Sequence, residues 1–283
     1  MLISIDGERV DPAAATVSVF DRGFLFGDAI YEVCATHQGK LTMLGAHLDR
    51  LEASGAAIGI DVASMRAGLE AEIARLIEEC PGEGERYVRI MITRGASTDF
   101  DLAEAETEPK QIVLVKQLKP WEPRLYEAGI DLLCVSPDQL VARIAPSVKS
   151  NNRQANVMAH RFARAQGKDD ALFVDTQGNV TEGPSWNMFG VKEGKLWTSP
   201  LAGGVLPGIT RSTVLKIAAE LGIEAEERAV SQEEALASDE WFITSTTRGV
   251  MPVASLDGRA APAGSPGPLT QRISAAWRAL ADG

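Results

Sequence analysis

Cysteine is scarce in this chain, with Cys34, Cys80 and Cys134 the only three among 283 residues. They are odd in number, far apart and without a Cys-x-x-Cys pair, which excludes a disulfide framework and suits buried, reduced thiols. Histidine is as sparse: His37, His47 and His160 show no metal-ligand spacing, so no metal site is expected. Nowhere does a run approach the roughly 18 uninterrupted apolar residues of a membrane span. The opening Met1-Leu2-Ile3-Ser4-Ile5-Asp6-Gly7 lacks the basic-then-apolar order of a signal peptide. Positive charge is in deficit: 28 Lys and Arg face 39 Asp and Glu, a net charge of −11. That balance argues against a nucleic-acid partner, which calls for a basic face. A soluble cytoplasmic protein with neither nucleic-acid nor membrane partner is the expectation.

What is present fits a globular enzyme. The composition, 45% hydrophobic and 24% charged, provides for a core, and the length suits two domains rather than one. Alternation at residues 2–5 before Asp6-Gly7 reads as a hairpin. Leu48, Leu51, Gly55 and Ile58 recur at helical spacing over 46–59, and a second helix is expected over 64–79. Arg86 to Thr93 and Gln111 to Lys116 read as strands, with Thr98 to Lys110 an exposed acidic loop between them. Pro120 and Pro123 then interrupt any regular element. This places an N-terminal α/β domain at 1–118, a linker at 119–126 and a C-terminal domain at 127–283.

The second half reads as a strand at 129–135, a helix at 151–166 and a strand at 171–175 before the turn Thr176-Gln177-Gly178-Asn179. A strand at 185–191 and a helix at 209–221 burying Val214, Leu215, Ala218 and Leu221 follow. Ser231 with Glu234 forms a capping box. Strands at 240–245 and 250–256 precede a Gly/Pro-rich loop whose last residue, Pro268, starts a terminal helix. The class is α+β.

Several segments carry chemistry beyond packing. Lys149 is a lone cation in Ile144-Ala145-Pro146-Ser147-Val148-Lys149-Ser150-Asn151-Asn152, and either a solvated lysine or a reactive amine. Glu182, in Thr181-Glu182-Gly183-Pro184-Ser185-Trp186-Asn187, either shapes its turn or serves as a dedicated carboxylate. Leu206-Pro207-Gly208-Ile209-Thr210-Arg211 is an ordinary turn-to-helix junction or an anion site of free backbone N–H groups. Thr244-Ser245-Thr246-Thr247 offers consecutive hydroxyls at a strand end. Arg50, in His47-Leu48-Asp49-Arg50-Leu51, lies off the apolar face of its helix, as a solvated arginine or a phosphate partner.

Taken in order, these segments resemble the class IV aminotransferases, pyridoxal-phosphate enzymes of fold type IV. The resemblance spans nearly the whole chain and begins at Asp21-Arg22-Gly23-Phe24-Leu25-Phe26-Gly27-Asp28-Ala29-Ile30-Tyr31-Glu32-Val33. It implies two domains, the larger C-terminal one with a β-barrel-like core, and a homodimer. It implies that Lys149 holds pyridoxal 5′-phosphate as a Schiff base and shuttles the proton, and that Glu182 keeps the ring nitrogen protonated. Arg50, Ile209, Thr210 and Thr246 would hold the phosphate, and Tyr31 would line the substrate side. The reaction implied moves an amino group from an amino-acid donor to a 2-oxo acid acceptor.

Substrate choice stays open. D-amino-acid transaminases of the familiar type carry an Arg-x-His carboxylate trap after a Thr-Arg-Gly strand end. Here Thr93-Arg94-Gly95 is followed by Asp99 and Asp101, whose charge would repel a carboxylate. Tyr87-Val88-Arg89-Ile90 matches the Tyr and Arg, but not the Pro, of a branched-chain Tyr-x-Arg-Pro strand. Arg89, Arg248, Thr247 and Tyr31 are therefore the substrate-binding candidates, with Phe24, Phe26 and Trp186 as an apolar pocket or as core. Aminodeoxychorismate lyase, (R)-amine transaminase and a non-catalytic pyridoxal-phosphate-binding protein remain the alternatives.

Overall fold

The alternation at the N-terminus forms a hairpin, in which β1 (Leu2–Ile5) turns through Asp6 and Gly7 into β2 (Glu8–Val10). In the computed structural model, which describes residues 1–98, 107–136 and 148–282, this hairpin belongs to the first of two units. That unit comprises Met1–Lys119 together with Val148–Asn152, and the second comprises Pro120–Ser147 together with Arg153–Gly283. Among the described residues no helix is long and apolar enough to cross a membrane.

The first unit is a six-stranded sheet with helices on it. Beside β1 and β2 it contains β3 (Ala29–His37), β4 (Lys40–Leu41), β5 (Arg86–Thr93) and β6 (Lys110–Gln117), in the order β2-β1-β6-β5-β3-β4. Every pairing is antiparallel, as befits an α+β rather than a βαβ arrangement. After the one-turn helix α1 (Arg22–Leu25) come α2 (Leu44–Ala57) and α3 (Arg66–Glu79). Leu48 and Leu51 of α2 and Leu69, Ile73 and Leu76 of α3 bury against Val88, Ile90, Ile92, Val113 and Val115. Each such aliphatic side chain contributes about 1.5–3 kcal/mol by leaving water.

The second unit is built on β7 (Ile130–Val135), β8 (Asp170–Phe173), β9 (Asn187–Lys192), β10 (Lys195–Thr198), β11 (Ala225–Glu227), β12 (Glu240–Ser245), β13 (Gly249–Leu256) and β14 (Arg259–Ala260). Their order is β11-β10-β9-β12-β13-β7-β8, with β14 on β13. Pairing is mixed: β7 lies parallel to both β13 and β8, whereas β9, β12 and β13 run antiparallel. The helices are α4 (Arg124–Glu127), α5 (Gln154–Ala165), α6 (Ile209–Glu220), α7 (Gln232–Leu236) and α8 (Pro268–Asp282). Trp186, Trp197 and Trp241 fill one core, and Phe189 and Phe242, stacked at 5.0 Å, join Val214, Ala218, Leu269 and Ile273 in another. Ser231 caps α7, accepting from the Glu234 N–H at 3.1 Å, while the Glu234 carboxylate accepts from Arg228 at 2.6 Å instead of completing the capping box.

Where expectation and structure differ, tertiary contacts account for it. The helix expected from residue 151 starts only at Gln154, because Val148–Asn152 pairs with β3 instead. Residues 124–126 of the expected linker belong to a helical turn, Arg124–Glu127, with Leu125 in the core of the second unit. Leu221 is 39% exposed rather than buried, because it caps α6 after its last turn. The strand expected from 185 starts at Asn187, and Ile58 lies past the end of α2, its N–H turned back to the Gly55 carbonyl. Asp99 and Asp101, and most of the loop expected over 98–110, lie outside the described residues, as do Ile144 to Ser147.

Candidate active site

In the first unit the chemistry is organised by the two faces of β3. Period-2 alternation turns Ile30, Glu32 and Cys34 one way and Tyr31 and Val33 the other. Backbone pairing brings the lysine segment to this strand: the Tyr31 N–H donates to the Lys149 carbonyl at 3.0 Å and the Asn151 N–H to that of Ala29 at 2.9 Å. Val148 packs on the core of the unit, and the Asn152 amide donates to the Gly27 carbonyl at 3.3 Å. Gly27 has φ +68, and a Cβ there would stand 2.2 Å from Asn152 Oδ1, so this approach requires glycine.

Lys149 is thereby placed against Tyr31. Its Nζ lies 3.5 Å from the Tyr31 Oη and 4.4 Å from the ring centroid. Arg89, a diagonal neighbour on the same face of β5, places its Cζ 4.2 Å from the same centroid. Two cations therefore share one buried phenol ring.

On the other face of β3, Glu32 is fully buried, at 0% side-chain exposure, and meets α2. Arg50 forks onto its carboxylate, Nε donating at 2.6 Å and Nη2 at 2.8 Å, and His47 Nδ1 lies 2.8 Å away. His47 and Arg50 are three residues apart, so they stand one above the other on the helix. Burial alone would raise the Glu32 pKa, but the hydrogen bonds from His47 and Arg50 and the charges of Arg50 and Lys149 bring it down to about 2. An ionised carboxylate only accepts, so His47 Nδ1 carries the hydrogen. Burial also lowers the His47 pKa, outweighing the pull of Glu32 and favouring the neutral ring. Arg50 is 11% exposed, not the solvated arginine its place off the apolar face suggests.

In the second unit Glu182 sits on a closed turn. Its carboxylate accepts from the Asn187 amide at 3.1 Å and from the Leu206 N–H at 2.9 Å. Its carbonyl accepts from the Phe173 N–H at 2.9 Å, and the Gly183 N–H closes the turn onto the Trp186 carbonyl at 2.9 Å. A Cβ on Gly183 would stand 2.0 Å from the Trp186 ring, so only glycine allows the indole to fold over the turn. Arg153 and Asn156, at the start of α5, both donate to the Pro184 carbonyl. Burial lowers the Arg153 pKa while the charge of Glu182 opposes the shift.

The two segments expected to bind an anion also belong to the second unit. The N-cap of α6 is Gly208, which has no side chain to cap with, so the first N–H groups of the helix, at Ile209 and Thr210, remain suited to an anion. Thr246 and Thr247 form the turn between β12 and β13 and are half-buried.

Arg248 is engaged within the same unit. Both Nη atoms lie 3.4 Å from Asp170 Oδ2, and the guanidinium stacks 4.5 Å from the Trp121 ring. Asp170 also accepts from Trp186 Nε1 at 2.7 Å and contacts His160 Nδ1 at 2.9 Å. Trp186 belongs to the core of the second unit, the second of its two expected readings, whereas Phe24 and Phe26 of the first unit are exposed.

A family model described as amino-transferase class IV matches residues 29–256. The chain belongs to that family. A putative branched-chain-amino-acid aminotransferase of Methanocaldococcus jannaschii is 36% identical over 276 residues, covering 96% of this chain and 94% of that protein. A D-alanine aminotransferase of Bacillus licheniformis is 33% identical over 277 residues, covering 98% and 95%. Among solved structures, the branched-chain aminotransferase of Thermoproteus uzoniensis with norvaline matches at TM-score 0.89 and 26% identity, covering 100% of this chain and 95% of that one. Membership makes the chain a pyridoxal-phosphate-dependent transaminase of fold type IV. Taken unit by unit, the donor types suit that cofactor: an amine beside a phenol and a guanidinium in the first, a buried carboxylate and a helix start without a side-chain cap in the second.

Sequence reasoning missed Glu32, His47, Arg153 and Asp170. A signal for Glu32 was present: in Ala29-Ile30-Tyr31-Glu32-Val33-Cys34 it is a lone carboxylate in the register of Ile30 and Cys34, which face the core. Asp170 had no such mark, since its partners come from Trp186, His160 and Arg248.

Proposed function

We propose that this aminotransferase moves the amino group of a branched-chain α-amino acid to a 2-oxo acid, with Lys149 as its reactive amine. The observation that carries the role of Lys149 is its amine, held 3.5 Å from the Tyr31 hydroxyl by backbone pairing of its segment to β3; the 36% identity to the Methanocaldococcus protein supports the branched-chain donor. When bound, pyridoxal phosphate supplies an aldehyde and a protonated ring that withdraws electrons from the substrate α-carbon. Lys149 would hold the cofactor covalently and, once displaced, move the proton at the α-carbon. The carboxylate of Glu182 would retain the proton on the ring nitrogen. Arg50, the N–H groups of Ile209 and Thr210, and the hydroxyls of Thr210 and Thr246 would grip the phosphate. Arg89 would receive the substrate carboxylate beside Tyr31, with Thr247 a further candidate.

A second reading, transfer from D-alanine, is supported by the 33% identity to the Bacillus enzyme. Half-reactions with L-valine, L-leucine, D-alanine and an (R)-amine, followed by the cofactor absorbance, separate the two. Turnover of the L-branched donors is expected, and response to D-alanine alone overturns the first reading.

We infer a homodimer in the cytoplasm. Val17, Val19, Phe20, Phe24, Leu25 and Phe26 are all exposed within ten residues, the kind of apolar run that marks an interaction surface, and Cys34, Cys80 and Cys134 are free thiols. Light scattering should give twice the chain mass of 30.3 kDa.

A further inference from the structure

Glu32 is buried, ionised and without a part in the chemistry above. It stands on a strand between Tyr31 and Val33, in a register that Ile30 and Cys34 otherwise devote to the core. A buried ion pair contributes little to stability compared with a well-packed apolar side chain of similar volume. An aliphatic residue at this position would serve the core at least as well. What the carboxylate adds is orientation: accepting from both Nε and Nη2 of Arg50, it holds the guanidinium in one plane. His47, buried on the preceding turn of α2, donates to the same carboxylate and fixes it in turn.

We propose that Glu32, held by His47, is a positioning residue that orients Arg50 for the phosphate of pyridoxal phosphate. This rests on the assignment of Arg50 to the phosphate. A guanidinium on a long side chain can take many orientations, and a bidentate anchor removes that freedom before the ligand arrives. The effect should therefore be confined to ligands that carry the phosphate.

Equilibrium dialysis of the full-length apoprotein against pyridoxal 5′-phosphate and against pyridoxal, which lacks the phosphate, tests this directly. In Glu32→Gln the Kd for pyridoxal phosphate should rise about 10- to 100-fold, while that for pyridoxal stays within about twofold of wild type. Arg50→Ala should show the same selective loss, and Glu32→Gln in the Arg50→Ala background should add nothing further. A Glu32→Gln protein that binds pyridoxal phosphate as wild type does, or loses both ligands equally, overturns the proposal while leaving Arg50 in place. An Arg50→Ala protein that keeps the wild-type preference for the phosphorylated form overturns the Arg50 assignment and the proposal with it. Should Glu32→Gln not fold, Glu32→Asp carries the same test, because its shorter carboxylate keeps the charge but cannot reach both nitrogens. Selective loss of the phosphorylated ligand supports the role, and equal loss or none overturns it.

Discussion

In the first unit the candidate groups are cations, arranged around a buried anion and an aromatic ring: Arg50 on Glu32, Lys149 and Arg89 on Tyr31. In the second unit the candidate group is an anion, Glu182, held by the neutral amide of Asn187 and the backbone N–H of Leu206, with the charge of Arg153 acting on it. The contrast teaches how each kind of group is kept in place. Buried full charges need a partner of opposite sign and make their surroundings sensitive to pH. Neutral donors hold the Glu182 carboxylate at a fixed point, and the tight turn around Gly183 makes the point rigid.

The largest test of this contrast removes the amine. Lys149→Ala should abolish transamination, lowering kcat on the order of 10³-fold or more in a coupled assay. Normal turnover would strip Lys149 of its role and leave the first unit without reactive chemistry. Next, Glu182→Gln should slow the half-reaction on the order of 100-fold, with a denaturation midpoint close to wild type. The Asn187 and Leu206 donors still find an oxygen there, so a variant that unfolds would show that charge holds this turn after all.

The third test probes the buried charges of the first unit by pH. Glu32 is depressed from its ordinary 4.5 to about 2, so its contribution to stability is complete above pH 4.5 and is lost as pH falls toward 2. His47, also depressed, adds to that loss below its ordinary 6.5, because the unfolded chain takes up the proton first. Denaturant titrations from pH 7 to 3 should therefore show stability falling with acid, and Glu32→Gln should flatten the slope. An unchanged slope in that variant would place the acid sensitivity elsewhere. The smallest effect is expected from Gly183→Ala, which forces a methyl into the Trp186 ring and should cost about 1–3 kcal/mol in urea unfolding. If stability is unaltered, the turn is looser than its contacts imply.

Much of the fold was legible because its signals are local. The hairpin at Asp6-Gly7, the Ser231 cap and the start of α8 at Pro268 each depend on residues a few positions apart. Leu69, Ile73 and Leu76 announce a helix face by spacing alone. The motifs around Lys149, Glu182 and Arg50 were equally readable, since they lie in short contiguous segments.

The sequence by itself determined the family, the α+β class and the candidate site residues, because periodicity, capping and motif order are carried by neighbours along the chain. Tertiary structure alone decided that 148–152 pairs with β3 rather than starting a helix, since backbone hydrogen bonds to Ala29 and Tyr31 come from more than a hundred residues away. It also decided that Arg50 is buried on Glu32, and that Arg248 is engaged by Asp170 and Trp121. Whether a charged side chain is solvated or paired depends on what lies opposite it, and only the folded chain brings those partners within reach.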